Sequence, residues 1–264
     1  MPYAPRFRLI FILAILMLAS IACSNGGDAD PPGGTTVIMT ISAAASLKDA
    51  LNEIKQLYES THDDVLLSFN YGASGALQQQ IEQGAPVDLF LAAASKNMDA
   101  LVGQGLIMED KHTSLLSNAL VVVTPTDGVV LSSITDLTRE DVTQIAIGIP
   151  ASVPAGNYAQ QALWKVGIWE ELRTKTVQAK DVRQVLQYVE TGNVDAGFVY
   201  ETDARTSDNV RVAFKVDPDA HERIDYPIGV VKATKHREQA VSVYDFLSSQ
   251  ASLDIFRKYG FTVS

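Results

Sequence analysis

The chain has 264 residues, 47% of them hydrophobic and 20% charged, which supplies enough apolar surface for one large or two smaller folded lobes and excludes disorder over its bulk. Its 31 acidic against 21 basic residues give a net charge of -10. No basic run exceeds a few residues, so a nucleic-acid partner is excluded, because phosphate-backbone binding needs clustered Lys and Arg.

At the start, Arg6 and Arg8 precede an apolar stretch from Leu9 to Ala19 that gives way to small residues before Cys23. This stretch is shorter than the roughly 20 residues that cross a bilayer, so residues 1–22 read as an export leader. Cys23 is the only cysteine, which rules out an internal disulfide framework. Its position at the expected cleavage point resembles a bacterial lipoprotein box, with Ser20 where that pattern usually has Leu. The resemblance implies that Cys23 is acylated and anchors an exported protein at the membrane surface, facing the periplasm or the cell exterior. A secreted protein with an incidental cysteine is the alternative. Residues 23–36, rich in Gly and Pro and almost devoid of apolar side chains, read as a flexible tether.

From Val37 onward, short β-rich runs alternate with helical periodicity, the pattern of an α/β fold built on parallel strands. Val37 to Ala43 is the first predicted strand. Leu47, Leu51, Ile54, Leu57 and Tyr58 then form a helical stripe, and Ser46 with Asp49 three residues on predicts a capped helix start. The unit repeats: Val65 to Tyr71 is a strand, Ser74 opens a helix carrying Leu77 and Ile81, and Gly84 with Pro86 closes it. Val87 to Ala93 is a third strand, followed by a helix over Ser95 to Val102. The run Leu115 to Val123 is long enough to leave one lobe and enter another.

Ile145 to Ile149, a short strand near Val177 and Val194 to Tyr200 supply a second set of βα units, with helices from Pro154 and from Asp181. Tyr226 to Lys232 then leads into a terminal helix over much of Glu238 to Phe256. The expected division is 37–118 with 231–264 as the first lobe and 119–230 as the second. Two crossings between the lobes leave a cleft, where such folds bind ligands.

Five positions are candidates to border that expected cleft. Ser46 and Ser74 sit where a strand pattern stops and a helix starts, and each alone also reads as a plain helix cap. Together they suggest an anion site, because the first N–H groups of a helix lack intrahelical partners and carry the positive end of its dipole. Gly72 and Gly75 flank Ser74 and permit close backbone approach. Val153-Pro154-Ala155-Gly156 opens a helix with a bare Ala155 amide, and Asp181 as N-cap leaves the Val182 amide in the unsatisfied first turn. Tyr200 ends a strand, either as a donor in the cleft or as a rim aromatic, and alternation turns Glu201 away.

The Ala-Ala-Ser-Leu start, Gly-Ala-Pro-Val-Asp-Leu-Phe at 84–90, Val-Pro-Ala-Gly-Asn-Tyr-Ala at 153–159, Asp-Val-Arg at 181–183, Gly-Phe-Val-Tyr-Glu-Thr-Asp-Ala at 197–204 and the closing Phe-Arg-Lys-Tyr-Gly-Phe resemble, in order, the molybdate-binding proteins of bacterial ABC importers. That resemblance implies a two-lobed periplasmic-binding-protein fold of type II. It also implies molybdate or tungstate as ligand, no cofactor, and a monomer that serves a membrane permease and its ATPase. Carried over by motif, the ligand donors are the hydroxyls of Ser46, Ser74 and Tyr200 and the amides of Ala155 and Val182. The loop before Ser74 departs from the serine-rich family version, so the Ala73 or Gly75 amide is an alternative donor there. Molybdate is fully deprotonated and offers only acceptors, which a set of donors suits; hydrogen phosphate would want an acceptor.

Three other readings compete. Gly72-Ala73-Ser74-Gly75-Ala76 approximates a nucleophile elbow with Ser74 as a hydrolase nucleophile, but its fifth position is Ala76 and no oxyanion-hole segment accompanies it. A metal-cation receptor would need ligand spacing that His62, His112, His221 and His236 lack. A sulfate or thiosulfate receptor of the same fold differs mainly in the size of its anion.

Overall fold

A computed structural model describes residues 36–264 of the chain. The leader expected at 1–22, Cys23 and all but the last residue of the tether lie outside the described residues.

The first strand, β1 (Val37–Ala44), lies between two parallel neighbours, β2 (Val65–Gly72) and β3 (Leu89–Leu91). Its inner positions Met39, Ile41 and Ala43 are fully buried, which is why it reads as an almost unbroken apolar run. Helices α1 (Lys48–Glu59), α2 (Ser74–Glu82) and α3 (Ser95–Gly103) follow these three strands in turn. The long β4 (Ile107–Ser117) completes the first pass through this sheet. The chain then enters a second sheet with β5 (Leu120–Pro125), β6 (Ile145–Gly148), β7 (Thr176–Ala179), β8 (Ala196–Tyr200) and β9 (Val210–Lys215). Its helices are α4 (Pro154–Lys165), α5 (Trp169–Leu172), α6 (Val182–Glu190) and α7 (Glu201–Ala204). The last segment, β10 (Asp225–Val231), α8 (Arg237–Leu247), α9 (Gln250–Lys258) and β11 (Thr262–Val263), returns to the first sheet.

The strand orders are β11-β4-β10-β3-β1-β2 and β7-β6-β8-β5-β9, two mixed sheets in a two-lobed α/β architecture. One connection between them is the pair Asn118–Ala119, and the other spans 216–224; the Asn118 N–H donates to the Ile224 carbonyl at 3.2 Å and ties them together. The apolar run Leu115 to Val123 therefore divides at Asn118, with Leu116 opposite Tyr226 in one sheet and Leu120 opposite Tyr200 in the other.

Three expectations change. The second lobe expected over 119–230 takes in β10, yet β10 pairs antiparallel with β3 and β4, so the return precedes Asp225. Hydropathy cannot report this, because β10 is as apolar as the strands of either sheet; only its pairing partners assign it. The third strand is shorter than expected, Leu89–Leu91, with single backbone bonds from Asp88 to Thr40 and from Ala92 to Pro227 at its ends, and the Ala93 amide goes to the Ser74 hydroxyl. The terminal helix is two helices, broken at Ser248–Ser249, where Ser249 Oγ accepts the Ser252 amide and restarts the chain as an N-cap.

Gly156, in the first turn of α4, lets that helix lie directly on the end of β6. A Cβ there would stand 1.9 Å from the Gly148 carbonyl oxygen. Gly156→Ala is expected to push the helix off the sheet and cost about 1–3 kcal/mol of stability, as overpacking does. Chemical denaturation of the two proteins measures this, and equal midpoints would mean that the helix start shifts without cost.

Candidate functional site

The five candidate residues follow five strand ends. Ser46 comes after β1, Ser74 after β2, Ala155 after β6 and Val182 after β7, and Tyr200 is the last residue of β8. In open α/β sheets these carboxyl ends border the crevice between halves. Here they line a single recess of about 210 Å³ together with small residues such as Ala45, Gly72 and Ala73. Two larger hollows, of about 680 and 700 Å³, lie elsewhere and contain none of the five.

Neither serine caps its helix through its side chain, which corrects the expectation for both. Ser46 lies within a short 3-10 turn, Ala45–Leu47, and its Oγ is 2.9 Å from the Tyr226 hydroxyl. Asp49 does not close a capping box; its carboxylate reaches across to Arg183 at 2.5 Å. Ser74 is the first residue of α2, and its Oγ accepts the Ala93 amide at 2.9 Å. With that acceptance made, its proton is left to donate into the recess.

On the opposite side, Pro154 and Val182 are the first residues of α4 and α6. Asp181 caps α6 as expected, accepting the Gln184 amide at 2.9 Å. The amides of Ala155 and Val182 find no acceptor among the described residues, as the first turn of a helix requires. The Gly75 amide, an alternative donor, is used otherwise: it donates to the Ser152 carbonyl of the other lobe at 2.9 Å. A Cβ on Gly75 would stand 2.7 Å from that oxygen, so glycine permits the lobes to touch backbone to backbone here.

Tyr200 is 1% exposed, and among the described residues its hydroxyl makes no hydrogen bond of good geometry, its nearest hydroxyl neighbour being Tyr226. A buried unpartnered hydroxyl costs about 1–3 kcal/mol, so its position calls for an explanation. Burial, with smaller contributions from Tyr226 and other neighbours, raises its pKa well above the usual phenol range, which keeps it a neutral donor. Glu201 points away, bonded to Lys215 at 2.8 Å and Arg205 at 3.1 Å. No carboxylate or cationic side chain lines the recess.

A cation stands just outside it. Arg183, next to Val182, is 2.8 Å from the fully buried Asp203 and 2.5 Å from Asp49 of the other lobe, and donates to the Ser46 carbonyl at 3.5 Å. Burial works against its charge, but the Asp203 and Asp49 carboxylates outweigh it and hold its pKa above the ordinary value. Neither Arg183, Asp203, Tyr226 nor Asn118 was marked as a site residue by sequence pattern, since their partners lie up to 180 residues away. Ser74 shows no hydrolase geometry: its hydroxyl bonds a backbone amide. Among the described residues no group of three or more His, Cys, Asp or Glu side chains could hold a metal ion.

Burial, opposed by Arg183, pushes the Asp203 carboxyl up to about 6 from an ordinary 3.8. A carboxyl that binds its proton more tightly when folded adds stability that is complete below about 3.8 and is lost as pH rises through about 6. The stability of the wild type relative to Asp203→Asn is therefore expected to increase as pH falls across that window, as read by thermal unfolding of both. A constant difference between them would contradict the shift.

The family model described as bacterial extracellular solute-binding protein matches residues 39–262. The Bacillus subtilis protein YvgL, named as a candidate ABC transporter substrate-binding lipoprotein, is 44% identical over 254 residues, covering 96% of this chain and 97% of that one. The Escherichia coli molybdate-binding protein ModA is 38% identical over 232 residues, covering 85% and 89%. The periplasmic molybdate-binding protein of Azotobacter vinelandii superposes with a TM-score of 0.79 at 20% identity, over 86% of this chain and 99% of that one, which speaks for the fold. With the family model spanning almost the whole folded body and relatives at this identity along most of its length, the chain belongs to the bacterial extracellular solute-binding proteins, as a ModA-like substrate-binding component of ABC import.

Proposed function

We propose that this chain captures molybdate, and with it tungstate, outside the cytoplasm and delivers it as a monomer to the permease and ATPase of an ABC importer. Its donors are the hydroxyls of Ser46, Ser74 and Tyr200 and the amides of Ala155 and Val182, and it is held at the membrane through an acylated Cys23. A substrate-binding component of this family is not an enzyme and uses no cofactor; the oxyanion is its cargo. The observation that carries the reading is the buried, unpartnered Tyr200 hydroxyl in a recess whose polar lining consists of neutral donors.

Donors alone suit a tetrahedral anion that is fully deprotonated, and the absence of a carboxylate from the lining avoids repelling a dianion. The names carried by the ModA relatives favour molybdate within that class. A sulfate-type receptor is the second reading, since sulfate shares this chemistry and the donor set does not separate the two. The Gly75 to Ser152 bond and the Asp49 to Arg183 pair are the contacts by which the lobes would close on the ion.

Molybdate and tungstate are expected to raise the melting temperature, with stabilisation of about 4 kcal/mol at a thousandfold excess over Kd. A shift with sulfate and none with molybdate or tungstate would replace the first reading by the second. Tyr200→Phe and Ser74→Ala should each weaken binding by about 1–3 kcal/mol through loss of a donor to a charged ligand, measured by calorimetric titration. Unchanged affinity in both variants would remove these residues from the site. Incorporation of labelled fatty acid into the wild type and not into Cys23→Ser tests the anchor.

A further inference from the structure

We propose that Asn118 and Tyr226 form a directional hydrogen-bond relay that fixes Ser46 as a donor, and that this relay disfavours anions still carrying a proton. The proposal rests on the oxyanion-receptor reading of the same recess and names what sets its selectivity.

The relay begins in the short connection between the two sheets. Asn118 Oδ1 accepts the Ala119 amide at 2.9 Å, and this bond decides which end of the side-chain amide is which. Turned over, the NH₂ group would face another N–H. Nδ2 therefore donates its two protons, one to Thr202 Oγ1 at 2.9 Å and one to the Tyr226 hydroxyl at 3.3 Å.

Tyr226, 2% exposed on β10, has one hydroxyl proton. Toward Asn118 it faces a donor, which leaves its own proton for Ser46 Oγ at 2.9 Å or for the neighbouring Tyr200 hydroxyl, and the relay assigns it to Ser46. Ser46 accepts that proton and has its own left to give, on the side that lines the recess. Reversed, Ser46 would become a second donor to a phenol oxygen that already accepts from Asn118, and the Tyr226 proton would lose Ser46 as its acceptor.

Ser74 is biased the same way by the Ala93 amide, and Ala155 and Val182 offer only N–H. A hydrogen phosphate brings one O–H that needs an acceptor, and the relay withholds the serine oxygen that would otherwise turn to supply it. Asn118 and Tyr226 are positioning residues in this scheme; Ser46 is the group that faces the ligand.

Tyr226→Phe keeps the ring and removes the proton, which frees Ser46 to point either way. The experiment titrates the full chain with molybdate at neutral pH and displaces the molybdate with phosphate or with sulfate. Sulfate, fully deprotonated, reports any general change in the site. Phosphate is expected to gain about tenfold on molybdate in Tyr226→Phe, the worth of one hydrogen bond to a charged group, with sulfate gaining nothing. Asn118→Ala should move the ratio in the same direction and provides the measurement should the first variant fail to fold. If phosphate competes no better with either variant, or if phosphate and sulfate gain equally, the relay is overturned and Tyr226 only packs. A wild-type chain that binds none of the three anions overturns the receptor reading itself, and the relay with it; wild-type binding with unmoved ratios removes the relay alone.

Discussion

Five residues able to offer neutral donors line one recess, and this places a demand on everything around them. A donor in a low-dielectric setting is costly when unpartnered and strong when it meets an anion, so its direction and its isolation both have to be built. Here each donor stands at a strand end or in the first turn of a helix, where backbone N–H groups are unpaired by the geometry of the helix itself. The sheets supply the convergence: β1 and β2 from one side, β6, β7 and β8 from the other, all with their carboxyl ends toward the crevice.

The placement of charge follows from the same demand. Arg183 sits one residue from Val182, yet its guanidinium turns out of the recess to lie between Asp203 and Asp49. Two carboxylates on one guanidinium keep that charge spent, and because Asp49 belongs to the first lobe, the same group that neutralises Arg183 also draws the lobes together. The burial of Asp203 beneath Tyr200 is the cost of this arrangement, visible in a carboxyl raised to about 6. In the proposed relay, selectivity rests on which way protons point, not on a net positive field, and this is where Asn118, in the connection between the sheets, and the phenol of Tyr226 enter.

Much of this was legible in the residues. Alternation of apolar runs and helical stripes identified the α/β units, and the break after β4 was visible as a run too long for one strand. Asp181 was recognisable as a cap because an Asp before an amphipathic stripe has a local reason to be there, and its bond to Gln184 is local. The same logic misplaced Ser46 and Ser74 as caps. A serine hydroxyl has several partners of similar worth, and the tertiary partners, Tyr226 and the Ala93 amide, took it. Hydropathy alone puts β10 on the wrong side of the boundary for a related reason: strand membership is decided by pairing, and pairing is not local.

By itself, then, the sequence determined the periodicities, the strand ends at which helices begin, and the neutrality of the residues there, because these depend on neighbours within a few positions. The tertiary structure alone decided that the five ends meet in one recess, that Tyr200 is left unpartnered in it, and that Asn118, Tyr226 and Ser46 form a chain of hydroxyls and amides. Those facts depend on contacts across up to 180 residues, where hydrogen-bond direction is set by whichever group the fold brings near.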